Sequence, residues 1–187
     1  MNIVIVLDKS GSMSRITSDV TGSLKGLANQ NPEANFTLVE FDSTASVAFS
    51  GNAATLRRYH YFPGGGTALY DAIALGIERV REQQRGREDK TLLVIITDGE
   101  ENASRTWKRE QIGLMLPLVE ATGAGVAFLG ANFDAFKEGA ALGVQGRATA
   151  SYQTTEALGL DLGKTLLRAT ASYRQTGVVD FLEPEKK

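Results

Sequence analysis

Three short segments carry oxygen-bearing side chains at a spacing suited to a hard cation. Asp8-Lys9-Ser10-Gly11-Ser12 places one carboxylate and two hydroxyls within five residues. Pro63-Gly64-Gly65-Gly66-Thr67 ends a glycine-rich run on a third hydroxyl, and Thr97-Asp98-Gly99 supplies a second carboxylate. A divalent ion such as Mg²⁺ prefers ligands of this chemistry, oxygen without thiolate or imidazole. Each segment also has a plainer reading. Asp8 and Ser10 can end a strand and cap the next helix, Thr67 can be the N-cap of a helix whose dipole Asp71 complements, and Asp-Gly is a common turn signal. The case for a site rests on the three segments meeting.

Whether they meet depends on the elements that carry them. Short all-apolar runs recur at Ile3–Leu7, Phe36–Phe41, Leu92–Thr97 and Val126–Leu129, the pattern of parallel strands buried on both faces. Ala45–Phe49 alternates and follows Phe41 after three residues, a link that permits a hairpin but no parallel crossover, so it is expected as an antiparallel edge strand. Arg147–Ala150 is a weaker sixth strand. Helical spacing joins Leu69, Ile73, Ile77 and Val80, then Ile112, Leu116 and Val119, then Leu158, Leu162, Leu166, Ala169 and Tyr173. Pro117 is expected to kink or split the second of these helices. Residues 81–90 form a charged helix end and turn, and Phe133–Leu142 a shorter helix.

Strand and helix therefore alternate. The expected fold is α/β: a doubly wound, mostly parallel six-stranded sheet with one antiparallel edge strand and helices on both faces. In such a sheet ligands bind outside the carboxyl ends of the strands, where connections leave in opposite directions. Asp8 and Asp98 each end one of the most apolar strands, so they are expected to face one crevice. Residues 1–176 are expected to be a single domain, with residues 177–187 as a loosely held tail.

Composition narrows the function classes. With 42% hydrophobic and 22% charged residues and a net charge of −2, the chain lacks the basic excess of nucleic-acid or anionic-membrane binders. It contains no cysteine, which excludes disulfides, thiolate zinc sites and cysteine nucleophiles and suits a reducing compartment. The five-residue apolar run before Asp8 is too short for a signal-peptide core or a membrane span, so the expected location is cytoplasmic.

The D-x-S-x-S segment, the glycine-rich loop ending in Thr67 and the later T-D-G, in this order, resemble the von Willebrand factor type A domain with its metal-ion-dependent adhesion site. The resemblance implies that Ser10, Ser12 and Thr67 are hydroxyl ligands of the ion, while Asp8 and Asp98 hold it largely through water. It also implies a Rossmann-like fold and movement of the glycine-rich loop when a ligand binds. An ion held by few charged groups stays incompletely neutralised, so an Asp or Glu carboxylate from a protein partner is the natural further ligand. Mg²⁺ is the expected ion, with Mn²⁺ or Ca²⁺ as alternatives, and Asn102 or the backbone near Gly99 are expected to orient the hydroxyls.

The expected function is thus a non-catalytic, metal-dependent protein-binding module. Two alternatives stand beside it. A phosphatase-like hydrolase would use Asp8 as nucleophile, but such enzymes place a second Asp two residues on, where this chain has Ser10. A scaffold protein would use the metal only structurally. A P-loop reading of residues 64–67 fails because Gly66 stands where the lysine belongs, and a serine-hydrolase elbow needs glycine two residues either side of Ser10. Glu100 and Glu101 are expected as a solvated acidic turn, the alternative being that they bias the site toward Ca²⁺ or Mn²⁺ or repel an acidic partner. Trp107 is expected to anchor its own helix or touch a partner, and His60 to be a surface or strand-end residue.

Overall fold

The apolar runs form strands, and the central ones are buried along their whole length. The computed structural model describes residues 1–86, 89–131, 134–152 and 162–181. Six strands, β1 (Asn2–Asp8), β2 (Asn35–Phe41), β3 (Ala45–Asn52), β4 (Thr91–Thr97), β5 (Gly125–Ala131) and β6 (Thr149–Tyr152), form one sheet in the order β3-β2-β1-β4-β5-β6. β3 runs antiparallel to β2 and every other pairing is parallel. Every residue of β1, β4 and β5 is buried, whereas β3 at the edge alternates between exposed and half-buried.

Helices α1 (Thr17–Gln30), α2 (Ala53–Arg57) and α6 (Leu162–Thr176) lie together on the sheet, with α1 against both others. Helices α3 (Leu69–Gln84), α4 (Arg109–Ala121) and α5 (Ala135–Ala141) pack in sequence on β1, β4, β5 and β6. Two 3₁₀ segments, Gly11–Ile16 and Gly146–Ala148, complete the described elements. From β1 the chain crosses to β2 on one side, and from β3 it returns through α3 to β4 on the other. The switch point therefore falls between β1 and β4, at the ends that carry Asp8 and Asp98. Close packing fixes α3 against these strands: a Cβ at Gly76 would stand 2.5 Å from the Val6 side chain, so only glycine lets the helix approach this far.

Several expectations change. α1 and α2 are not delimited by the sequence reading. In α1 the buried stripe of Val20, Leu24, Leu27 and Ala28 is diluted by Gly22, Gly26 and hydroxyl residues. α4 is not split at Pro117: it runs unbroken from Arg109 to Ala121, and Gly143, at φ 78°, leaves room for the ring, since a Cβ there would lie 2.9 Å from it. The sixth strand begins at Thr149, after Arg147 is taken into the second 3₁₀ segment. α5 begins at Ala135, and Phe133 and Leu158 lie outside the described residues. Residues 177–181 are not loose. Val179 is buried, the Phe181 N–H donates to the Arg147 carbonyl (2.8 Å) and Arg168 donates to the Phe181 carbonyl (2.9 Å). Among the described residues no helix is long and apolar enough to cross a membrane.

Candidate metal-binding centre

Asp8 is the last residue of β1 and has no exposed surface. Both carboxylate oxygens are committed: the Ser10 N–H donates to Oδ1 (2.7 Å) and the Thr97 hydroxyl donates to Oδ2 (2.6 Å). Its carbonyl accepts from the buried Tyr61 hydroxyl (2.6 Å). The loop that follows is tied down as well. The Lys9 N–H donates to the Phe41 carbonyl (2.6 Å), and its ammonium pairs with Glu40 (2.9 Å) and Asp42 (3.6 Å).

The two loop serines reach across to β4. Ser10 Oγ and Ser12 Oγ are 3.0 Å apart, and the Ser12 hydroxyl donates to Asp98 Oδ1 (2.6 Å). Since Ser12 has one proton and gives it to Asp98, Ser10 must be the donor of the serine pair. A chain of hydrogen bonds therefore runs from Ser10 through Ser12 to Asp98. Adjacent oxygens around an octahedral Mg²⁺ stand about 2.9 Å apart, given metal–oxygen distances near 2.1 Å, so the serine pair already has a separation the ion accepts.

Thr67 completes the set. A Cβ built on Gly99 would lie 3.5 Å from Thr67 Oγ1 and 3.7 Å from Ser12 Oγ, which places both hydroxyls over the same glycine. Thr67 is held by its main chain: its N–H donates to Asn102 Oδ1 (2.9 Å), and its carbonyl accepts from the N–H groups of Asn102 (3.0 Å) and Ala103 (3.2 Å). Asn102 therefore positions the Thr67 backbone rather than donating to the hydroxyls. Gly66 makes room for this clasp, because a Cβ there would meet Asn102 Oδ1 at 3.0 Å. Among the described residues the Thr67 hydroxyl has no protein hydrogen-bond partner, so it is free to bind something else.

Electrostatics points the same way. Burial pushes the Asp8 carboxyl above its ordinary value; the bonds from Thr97 and Ser10 oppose this, and the nearby Asp98 charge adds to it. Asp98 is also raised, chiefly by burial, against the Ser12 hydroxyl bond and the more distant Arg15 charge. Among the described residues neither carboxylate has a salt-bridge partner. A divalent ion in this crevice would reverse both shifts. Among the described residues no three His, Cys, Asp or Glu side chains gather as a metal-holding group, and this centre is of another composition, with two carboxylates and three hydroxyls. Those five oxygen-bearing side chains suit a hard cation by type and by convergence.

Sequence reasoning names these five residues but misses part of what holds them. Thr97 lies inside the T-D-G segment as a strand residue, yet its hydroxyl orients Asp8. Tyr61 belongs to an aromatic run, yet its hydroxyl fixes the end of β1. Glu101 is no free acidic turn: its carboxylate accepts from the N–H groups of Ala103 (2.8 Å), Ser104 (2.6 Å) and Tyr70 (3.0 Å). Asp71 likewise accepts from the N–H groups of Arg105 (2.9 Å), Thr106 (3.1 Å) and Trp107 (2.8 Å), which straps the loop after β4 to the start of α3. Glu100 is exposed, Trp107 is half-buried against the core, and His60 is exposed and stacked on Phe62.

A mostly parallel six-stranded sheet with one antiparallel edge strand and helices on both faces places the chain in the open, doubly wound α/β class. Residues 2–143 match the family model for the von Willebrand factor type A domain, and the chain belongs to that family, whose members are protein-interaction and adhesion modules. A curated relative, inter alpha-trypsin inhibitor heavy chain 4 of Mus musculus, is 27% identical over a 124-residue alignment that covers 56% of this chain and 13% of that protein. The chain thus spans a small part of this relative's length. Among solved structures, proximal thread matrix protein 1 from the mussel byssus aligns with a TM-score of 0.64 at 17% identity, covering 89% of this chain and 43% of the other. The manganese-loaded TRAP protein of Plasmodium vivax aligns with a TM-score of 0.57 at 16% identity, covering 84% of this chain and 70% of the other. At these identities the structural likeness speaks to the fold.

Proposed function

We propose that this chain is a non-catalytic protein-binding module that holds a divalent cation, Mg²⁺ in the first instance, through Ser10, Ser12 and Thr67, with Asp8 and Asp98 acting largely through water. The exchangeable position on the ion takes an Asp or Glu carboxylate from a protein partner. One observation carries the reading: three hydroxyls and two largely buried carboxylates from three separate loops lie together, and among the described residues no protein cation bonds to them. The manganese in the Plasmodium vivax neighbour supports a divalent ion in this fold.

The ion supplies a Lewis-acidic position; the chain supplies its orientation. Thr97 and the Ser10 amide fix the Asp8 carboxylate, and Asn102 fixes the Thr67 backbone. The same bonds argue against a nucleophilic role for Asp8, since both of its oxygens already accept hydrogen bonds and no second acid stands two residues on. An NMR titration tests the reading with acetate as a carboxylate surrogate. Acetate should shift the amides of residues 64–67 in Mg²⁺ and leave them unmoved in EDTA. Equal shifts under both conditions would sink the proposal, and turnover of a phosphate ester that vanishes in Asp8→Asn would replace it with the hydrolase reading.

A further inference from the structure

A groove of about 670 Å³ runs along α3, starting at the glycine-rich loop. Asp71, Leu75, Glu78, Glu82 and Arg85 fall on one stripe of that helix and line it; its walls are residues 43–45 on one side and residues 105–107 with Met115 of α4 on the other. One end touches the candidate metal centre directly. Ser43 lines the groove, and its hydroxyl oxygen accepts from the Gly66 N–H (2.9 Å), one residue before Thr67. Asp71 fixes the same end by holding the N–H groups of Arg105, Thr106 and Trp107.

Charges in the groove are unevenly committed. The Asp71 carboxylate is taken up by those three amides, and Glu78 and Glu82 both pair with Arg79 (3.0 and 2.7 Å). Arg81, Arg85 and Arg105 also line the groove, and all three are exposed. Among the described residues their guanidinium groups have neither an ion-pair nor a hydrogen-bond partner. Leu75, Trp107 and Met115, each half-buried against the core, give the groove an apolar floor. Free arginine forks over such a floor suit carboxylates carried on a peptide. The net charge of −2 for the whole chain disfavours nucleic acid as the occupant.

Resting on the function proposed above, we propose that this groove takes an acidic stretch of the same partner whose carboxylate meets the ion. The helix sets the spacing. At 1.5 Å per residue, Arg81 and Arg85 lie about 18 and 24 Å along α3 from Leu69, a length that about five to seven residues of extended partner chain cover. The ion makes binding depend on metal; the arginines select which acidic segment is bound.

A peptide array tests this. Glycine-serine peptides with a central Asp, or Asn as control, carry a Glu pair walked outward along either flank, with a Gln pair as its control. The array is probed with the full chain in Mg²⁺ and in EDTA. Wild type should retain Asp over Asn peptides only in Mg²⁺. A Glu pair about five to seven residues from the Asp on one flank should raise retention about fivefold, the gain expected of two exposed ion pairs. The double variant Arg81→Gln/Arg85→Gln, with its circular dichroism unchanged, should keep the metal-dependent Asp preference and lose the gain from the Glu pair. No gain at any position in wild type, the same gain at every position, or a gain unchanged in the double variant overturns the groove and leaves the ion reading standing. No metal-dependent Asp preference in wild type overturns both, and Mn²⁺ binding by the same sample then tells whether the ion or the carboxylate step failed. Retention of an oligo-dT strand by wild type but not by the double variant would assign the arginines to nucleic acid and overturn the proposal. Self-association of wild type that the double variant abolishes would assign them to a second copy of the chain and overturn it too.

Discussion

The two ends of the central strands both bury polar side chains, but they treat charge differently. At the amino end, Asn2 and Thr37 are 1% and 2% exposed, and their neighbours are neutral: Asn35 donates to Asn2 (3.2 Å), Gln83 donates to Thr37 (2.8 Å), and Thr37 pairs with Ser50 (3.0 Å). A cation lining this end, Arg79, pairs with Glu78 (3.0 Å) and Glu82 (2.7 Å). At the carboxyl end, Asp8 and Asp98 are buried as well, and their hydrogen bonds come from hydroxyls and a backbone amide, with Arg15 acting on Asp98 only from a distance. Burying carboxylates without a paired cation costs stability. Under the proposed function an external cation would supply, at the carboxyl end, the charge that Asp8 and Asp98 lack.

The largest expected effect separates the ends by metal. At a concentration one hundred times its dissociation constant, Mg²⁺ should stabilise wild type by about 2.7 kcal/mol, seen as a rise in the thermal midpoint that EDTA removes. Asp8→Ala should lose most of that gain. A gain of equal size in Asp8→Ala would break the comparison. The pH dependence carries the same contrast. A carboxylate raised in the folded state binds protons more readily folded than unfolded, so stability falls as pH rises from the ordinary value of 3.8 through the raised one. The metal-free chain should therefore gain stability from these two groups as pH is lowered through that window. Saturating Mg²⁺ should erase this component, and denaturant melts across pH with and without Mg²⁺ would show whether it does.

A smaller effect sharpens the comparison within the carboxyl end. Asn102→Ala removes the acceptor for the Thr67 N–H and should weaken ion binding about 10- to 100-fold by calorimetry, as loss of a group that orients a ligand does. The smallest effect belongs to the amino end. Thr37→Val should cost about 1 kcal/mol in chemical denaturation, one buried hydroxyl's worth of hydrogen bonding, and leave ion affinity unchanged. A change in ion affinity there would mean that the two ends are coupled.

Much of this was legible in the sequence because it depends on local pattern. The buried strands announce themselves as apolar runs, the three-residue link before Ala45 forces the antiparallel edge, and Asp8, Ser10, Ser12 and Asp98 stand at or just past the ends of β1 and β4, with Thr67 in the loop before α3. What was not legible depends on long-range contact. Glu101 looks solvated until Tyr70 and Ser104 are brought to it, and Asn102 looks like a donor until its carbonyl oxygen meets the Thr67 amide. Pro117 is tolerated because Gly143, distant in sequence, leaves space for its ring. α1 hides because a helix covering a sheet needs only a narrow buried stripe, here spread among glycines and hydroxyls.

Mn²⁺ titrated into the purified chain and followed by electron paramagnetic resonance reads directly whether these hydroxyls hold a divalent ion. Wild type should bind one ion, and Ser12→Ala, with its circular dichroism unchanged, should bind at least about 100-fold more weakly, since even groups that only orient a ligand are worth 10- to 100-fold. No binding by wild type at millimolar Mn²⁺, or equal binding by Ser12→Ala, would contradict the account.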